Sequence, residues 1–172
     1  MTKAISTMAP FIVLAFIIGQ FIAYFNWTNL GLVLAISGSN LLTSLGFTGI
    51  GLFVGYILLC AFINLFIGSG SAKWAILAPI FVPMMNLLGY HPAWTQFLYR
   101  IGDSSTNIIS PLFPYFPIVL AFLSEYDEKA GVGTLLSLMI PYSVAFIVIW
   151  TLFAIIWFFT GLPLGPGGFI FM

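Results

Sequence analysis

Lys73 is the only charged side chain between Lys3 and Arg100, and it sits in a polar run, Gly68-Ser69-Gly70-Ser71-Ala72-Lys73-Trp74, with apolar residues on both sides for the thickness of a membrane. That setting narrows what the chain can become. In hydrocarbon an unpaired backbone amide costs several kcal/mol. Unwound backbone therefore survives at membrane depth only where it is buried in protein or lines a water-filled cavity. The glycines free the backbone, the serines offer hydroxyls, and the lysine brings a charge that is costly in lipid. A second interruption follows at Arg100-Ile101-Gly102-Asp103-Ser104-Ser105-Thr106-Asn107. Two apolar segments broken by polar, glycine-containing stretches predict a transporter-type binding site near the bilayer midplane.

Composition supports lipid as the solvent. The 172 residues are 62% hydrophobic and 5% charged, against about 25% charged in a soluble domain. Such a chain could not cover a water-facing surface with polar side chains. With zero net charge there is no basic face for nucleic acid. There is no Walker loop, so transport would draw on an ion gradient or a partner. One Cys and one His cannot build a zinc site. Cys60 reads as a small apolar packing residue, and His91 as a loop residue. An intramembrane enzyme, a third reading, has little support, because the sequence shows no nucleophile elbow, zinc-ligand helix or suitably spaced carboxylate pair.

The expected fold is all-α and integral to the membrane: a polytopic helical bundle with broken helices and a re-entrant hairpin, one half of an inverted-repeat transporter. Residues 1–172 form a single transmembrane portion with spans at about 4–25, 30–46, 48–67, 74–88, 92–123 (interrupted near 103–107) and 132–160. The first span continues too far, without a small-residue cleavage site, to be a removable signal peptide. Trp27 and its polar neighbours suit a headgroup interface. Pro79 and Pro83 are expected to kink the 74–88 segment. The Ser124–Lys129 loop carries half of the charges in the chain and is the obvious aqueous loop. The glycine- and proline-rich tail from Gly161 cannot continue a helix.

The candidate site residues come from the two breaks. A helix starting near Trp74 would aim its free amides at the Gly68–Ser71 loop, ready for an anionic group. Ser69 and Ser71 can donate or accept hydrogen bonds, unless the loop is a plain turn at the membrane surface. Lys73 either neutralises a carboxylate or snorkels to the interface. Arg100 and Asp103, three apart, can meet on one helical face. They form either a structural ion pair or a working one, with Arg100 clamping a substrate carboxylate and Asp103 serving the coupling cation. Ser104, Ser105, Thr106 and Asn107 offer oxygen ligands for a cation, or cap a helix. Pro111 would bend the following segment and free a carbonyl. Trp74 stacks on an aromatic ring or packs as an anchor.

On these residues the sequence resembles the AbgT family. The resemblance rests on Gly68-Ser69-Gly70-Ser71-Ala72-Lys73-Trp74-Ala75, on Tyr99-Arg100-Ile101-Gly102-Asp103-Ser104-Ser105-Thr106-Asn107 with Pro111, on the opening Met8-Ala9-Pro10 through Phe25-Asn26-Trp27-Thr28-Asn29-Leu30-Gly31, and on Pro141-Tyr142-Ser143. Members of the family are bacterial p-aminobenzoyl-glutamate transporters, some described as exporters of sulfonamide antimetabolites. The resemblance implies functional roles for Ser71, Trp74, Arg100, Asp103 and Pro111; together with the reading of the residues themselves, the expected substrate-binding set is Ser69, Ser71, Trp74, Arg100, Asn107 and Pro111, and the expected cation-coupling set is Asp103, Ser104 and Thr106. It implies no catalytic residue, metal or cofactor beyond the coupling ion, H⁺ or Na⁺. It also implies a homodimer in the bacterial inner membrane, with inverted repeats, two re-entrant hairpins and secondary transport of an aromatic glutamate conjugate. Family members are much longer, and the match is to their C-terminal part. The N-terminal half, with its own hairpin and acidic residue, is expected as a missing partner. A membrane assembly subunit or inactive fragment is the rival from another class.

Overall fold

The computed structural model describes residues 49–172 continuously, together with isolated positions between 13 and 46. The spans expected at 4–25 and 30–46, and the opening motif within them, lie outside the continuously described residues.

Over the continuously described residues 49–172, five α-helices follow in order: α1 (Ile50–Asn64), α2 (Gly70–Leu87), α3 (Pro92–Thr106), α4 (Phe116–Tyr126) and α5 (Val132–Thr160), with a short 3-10 turn at Asn107–Ile109 after α3. No strand occurs among the described residues; there are two isolated bridges, Tyr90 with Phe171 and Gly165 with Gly168. α1 starts after Gly49, whose φ of 60° suits a residue without a Cβ. α3 opens with Pro92, and His91 caps it, its Nδ1 accepting from the Ala93 amide at 3.2 Å. α5 ends at Gly161 in the left-handed region, φ 68°.

Two expected breaks move. The first is shorter than 68–73. The Lys73 amide donates to the Ser69 carbonyl at 3.0 Å, closing a helical turn, so α2 begins at Gly70 rather than near Trp74. Ser71, Lys73 and Trp74 thus lie at the start of a helix, and the irregular backbone is confined to 65–69. The second break falls later than 103–107. α3 continues through Asp103 to Thr106, and the chain stays irregular until Phe116. Pro111 and Pro114 account for this, since neither can donate the amide a continuing helix needs. Pro79 and Pro83 do not interrupt α2, whose helix runs through both.

α3 is the centre of the fold and packs against α1, α2 and α5, whereas α1 and α2, though consecutive, touch each other little. Gly102 sets the closest approach. A Cβ there would stand 2.5 Å from the Ile57 carbonyl oxygen and 2.8 Å from Cys60 Cβ, so only glycine lets α3 lie this near α1. The shared core is Leu52, Phe53, Tyr56, Ile57, Cys60 and Ile63 of α1, Leu77, Phe81 and Met85 of α2, and Trp94, Leu98, Tyr99 and Ile101 of α3. At one end Phe53 meets Tyr90, Trp94 and Phe158 with ring centroids 5.0, 5.4 and 5.0 Å apart. The C-terminal tail closes that end: the His91 amide donates to the Ile170 carbonyl at 2.9 Å, the Met172 amide to that of Gly89 at 3.1 Å, and Ile170 is buried.

α5 differs from the rest. Its 29 residues have a mean hydropathy of 2.3 in their most apolar window, and only 11% of that window is buried. At 1.5 Å per residue the helix is about 43 Å long, more than a bilayer's hydrocarbon core of about 30 Å. The core helix of a soluble protein would be mostly covered. Here Phe146, Ile149, Trp150, Leu152 and Phe159 stand exposed, as they would toward lipid or further protein.

Candidate functional site

The polar residues that interrupt the apolar sequence gather where the start of α2, the end of α1 and the last turns of α3 meet. Lys73 projects from α2 into this junction, with 1% of its side chain exposed, and its Nζ donates to Asn64 Oδ1 and Asp103 Oδ1. It does not snorkel. Asn64, the last residue of α1, is fully buried and braces the junction. Its Nδ2 faces the Asp103 carbonyl at 2.8 Å, Thr106 Oγ1 at 2.8 Å and Asn107 Oδ1 at 2.9 Å. An amide has two hydrogens, so two of these three are served at once. The Asn64 carbonyl accepts from Ser110 Oγ at 3.0 Å, which ties the end of α1 to the segment beyond α3.

Asp103 faces two cations. Lys73 is its buried partner, and Arg100 approaches Asp103 Oδ2 at 3.4 Å from the surface, with 60% of its side chain exposed. The expected pairing of Arg100 with Asp103 is therefore present, but as the longer and wetter of two contacts. One carboxylate between two cations leaves a surplus positive charge, and the accessible share of it is the Arg100 guanidinium. That group lies 5.9 Å from the centre of the Tyr99 ring, and Trp74 lies 5.1 Å from the same ring. Trp74 and Arg100 thus form an aromatic and cationic surface over the buried Tyr99 ring. Tyr99 is pinned beneath it by its hydroxyl, which donates to the Gly70 carbonyl at 2.5 Å. Gly70 is small for a reason: a Cβ there would stand 3.3 Å from Asp103 Oδ2.

The remaining candidates divide by exposure. Thr106 is buried and occupied, donating to the Gly102 carbonyl at 2.8 Å while receiving Asn64. Asn107 is half-buried and in the same network. Ser69, Ser71 and Ser104 are exposed, and the structure does not bring Ser104 to the Lys73–Asp103 pair. Ser105 is buried, and its carbonyl accepts from Ser143 Oγ of α5 at 2.7 Å. Pro111 lies in the irregular segment beyond; an apolar cavity of about 130 Å³ is lined by Asn107, Phe113, Phe116, Leu135 and Met139 among others. Among the described residues no group of His, Cys, Asp and Glu could hold a metal ion.

Asn64 and Ser110 are absent from the sequence-based expectations, and Tyr99 and Ser143 enter them only within motifs of the resemblance, with no role assigned. The available signal was Asn64 itself, an amide in the apolar run Leu58–Ile67, shortly before the glycine-rich stretch.

A buried ion pair at the ends of interrupted helices, beside a long lipid-suited helix, is an arrangement suited to a membrane transport protein. The profile of the family described as "AbgT putative transporter family" matches residues 1–172, and the chain belongs to that family. It is 48% identical over 167 residues to the p-aminobenzoyl-glutamate transport protein of Escherichia coli K12, an alignment covering 97% of this chain and 33% of that protein. Among solved structures it is similar to the YdaH transporter of Alcanivorax borkumensis (TM-score 0.68, 47% identity, covering 96% of this chain and 35% of that one). It is also similar to MtrF of Neisseria gonorrhoeae, described with a class of antimetabolite efflux pumps (TM-score 0.63, 50% identity, 97% and 33%). The chain spans about a third of the length of these relatives. The expected all-α architecture of a membrane transporter portion holds.

Proposed function

We propose that this chain is the C-terminal, site-bearing portion of a secondary active transporter that moves p-aminobenzoyl-glutamate or a similar aromatic glutamate conjugate across the bacterial inner membrane, driven by an H⁺ or Na⁺ gradient. The observation that carries the reading is the row Trp74, Tyr99 and Arg100 beside a carboxylate already held by a buried lysine. An aromatic amide of glutamate has a ring for the aromatic surface and carboxylates for the surplus positive charge. Arg100 takes one carboxylate, the ring lies against Trp74, and Ser69, Ser71, Asn107 and Pro111 complete the contacts. Asp103 binds the coupling cation, with oxygens from Thr106 and Ser104 nearby in sequence. The site is completed by the N-terminal part that the longer relatives possess, and the whole assembles as a homodimer.

A second reading runs the same site outward, as an exporter of sulfonamide-like antimetabolites; similarity to MtrF favours it. Uptake of radiolabelled p-aminobenzoyl-glutamate into proteoliposomes holding this chain with an N-terminal portion from a relative tests the main reading. We expect uptake that needs an inward cation gradient and that vanishes in Asp103→Asn. Undiminished uptake in that variant removes Asp103 from the mechanism. Loss of preloaded sulfonamide under the same gradient, without p-aminobenzoyl-glutamate uptake, selects the export reading.

A further inference from the structure

The surroundings of Lys73 Nζ are built for a hard cation. The Nζ contacts Asn64 Oδ1 and Asp103 Oδ1, Asp103 Oδ2 faces Arg100, and Thr106 Oγ1 and Asn107 Oδ1 accept from the other, Nδ2, end of Asn64. Clustered carboxylate, amide and hydroxyl oxygens are what alkali and alkaline-earth cations prefer. A buried lysine normally exists to satisfy one carboxylate. This one is shared between a carboxylate and an amide oxygen from two different helices, as a bound ion would be. Lys73 is also placed to leave, because it sits on the first turn of α2, directly after the irregular 65–69 backbone with Gly68 and Gly70 on either side of Ser69. On its departure Asp103 would keep Arg100 at 3.4 Å and would need an incoming cation to replace the ammonium.

We propose that the Lys73 ammonium is a tethered cation that fills the coupling-ion position when the site is empty, and that an incoming Na⁺ displaces it. The idea rests on the reading of Asp103 as the cation-coupling residue and says how coupling reaches the substrate. Na⁺ takes the oxygens of Asn64 and Asp103, and the released ammonium swings toward the exposed Ser69–Ser71 face beside Arg100. There it supplies a second positive group for a substrate carboxylate. Cation and anionic substrate then favour each other's binding, and by reciprocity each raises the affinity of the other by the same factor.

The test follows the lysine directly. The chain in nanodiscs is treated with acetic anhydride in NaCl or choline chloride, and acetylation of Lys73 is followed by mass spectrometry. Lys129, exposed in the α4–α5 loop, serves as the internal standard. Thermal unfolding is recorded against Na⁺ concentration in parallel. We expect Na⁺, and not choline, to raise the Lys73 rate relative to Lys129 by about tenfold or more, as a switch from a mostly filled to a mostly displaced state requires. In Asp103→Asn, Lys73 should react rapidly in either salt. Saturable stabilisation by Na⁺ with Lys73 still protected overturns the tethered-cation role and leaves the coupling role of Asp103 standing. Absence of both Na⁺ stabilisation and Lys73 exposure overturns the tethered-cation role together with Na⁺ as the ion at Asp103.

Discussion

Asn64 holds the most consequential position for its size. It presents an acceptor to Lys73 and donors toward three oxygens of the α3 end, with no exposed surface. Asn64→Leu keeps the volume and removes every one of these bonds. Leaving buried partners unsatisfied costs about 1–3 kcal/mol, so thermal unfolding in detergent should show a loss of that order. A shift within error would mean that the network is not closed in solution. Lys73→Met should cost more, about 3–5 kcal/mol, because it leaves a buried carboxylate with its weaker partner only. Asn64 was hard to anticipate from the sequence because its partner Asp103 is 39 residues away. In the linear chain it is a single amide in an apolar run. Arg100 and Asp103 were legible because their spacing of three brings them together on any helix. The choice of Lys73 as the inner partner was not, since only the packing of α2 on α3 decides whether it turns inward or snorkels.

At the scale of elements, α5 and its limits were legible, since Gly131 precedes an unbroken apolar run and Gly161 follows it. The two breaks were displaced for opposite reasons. Gly70 looked like part of a loop, yet a glycine at a helix start is tolerated, and a Cβ there would crowd Asp103. Gly102 and the hydroxyls after Asp103 looked like a helix end, yet Gly102 is the contact residue of α3 on α1 and lies inside the helix. Gly102→Ala therefore tests the element packing. Overpacking a tight contact costs about 1–3 kcal/mol, and unfolding should show it, while an unchanged transition would place the two helices further apart than described. The tail offers a second test. Ile170→Ala removes a buried anchor from the clasp over the α2–α3 turn, and hydrogen exchange at the His91 and Met172 amides, both paired across this contact, should quicken about tenfold or more. Unaltered protection would show that the backbone pairing stands without the side chain.

For the whole molecule, the exposed apolar length of α5 and the charged surface at Arg100 both face outward from a chain that spans a third of its relatives. Lipid and the N-terminal portion of the transporter are the natural covers for these two surfaces. The central claim is that Arg100, backed by Tyr99 and Trp74, takes the carboxylate of an aromatic glutamate conjugate. Its most direct test is equilibrium binding of p-aminobenzoyl-glutamate to the purified chain in nanodiscs, alone and co-assembled with an N-terminal portion, for the native sequence and Arg100→Ala. We predict saturable binding in the co-assembled form, weakened about tenfold or more in Arg100→Ala, as expected for loss of a bidentate charge-assisted contact. Equal affinity in the variant, or binding by neither form, would contradict the assignment of this surface as the substrate site.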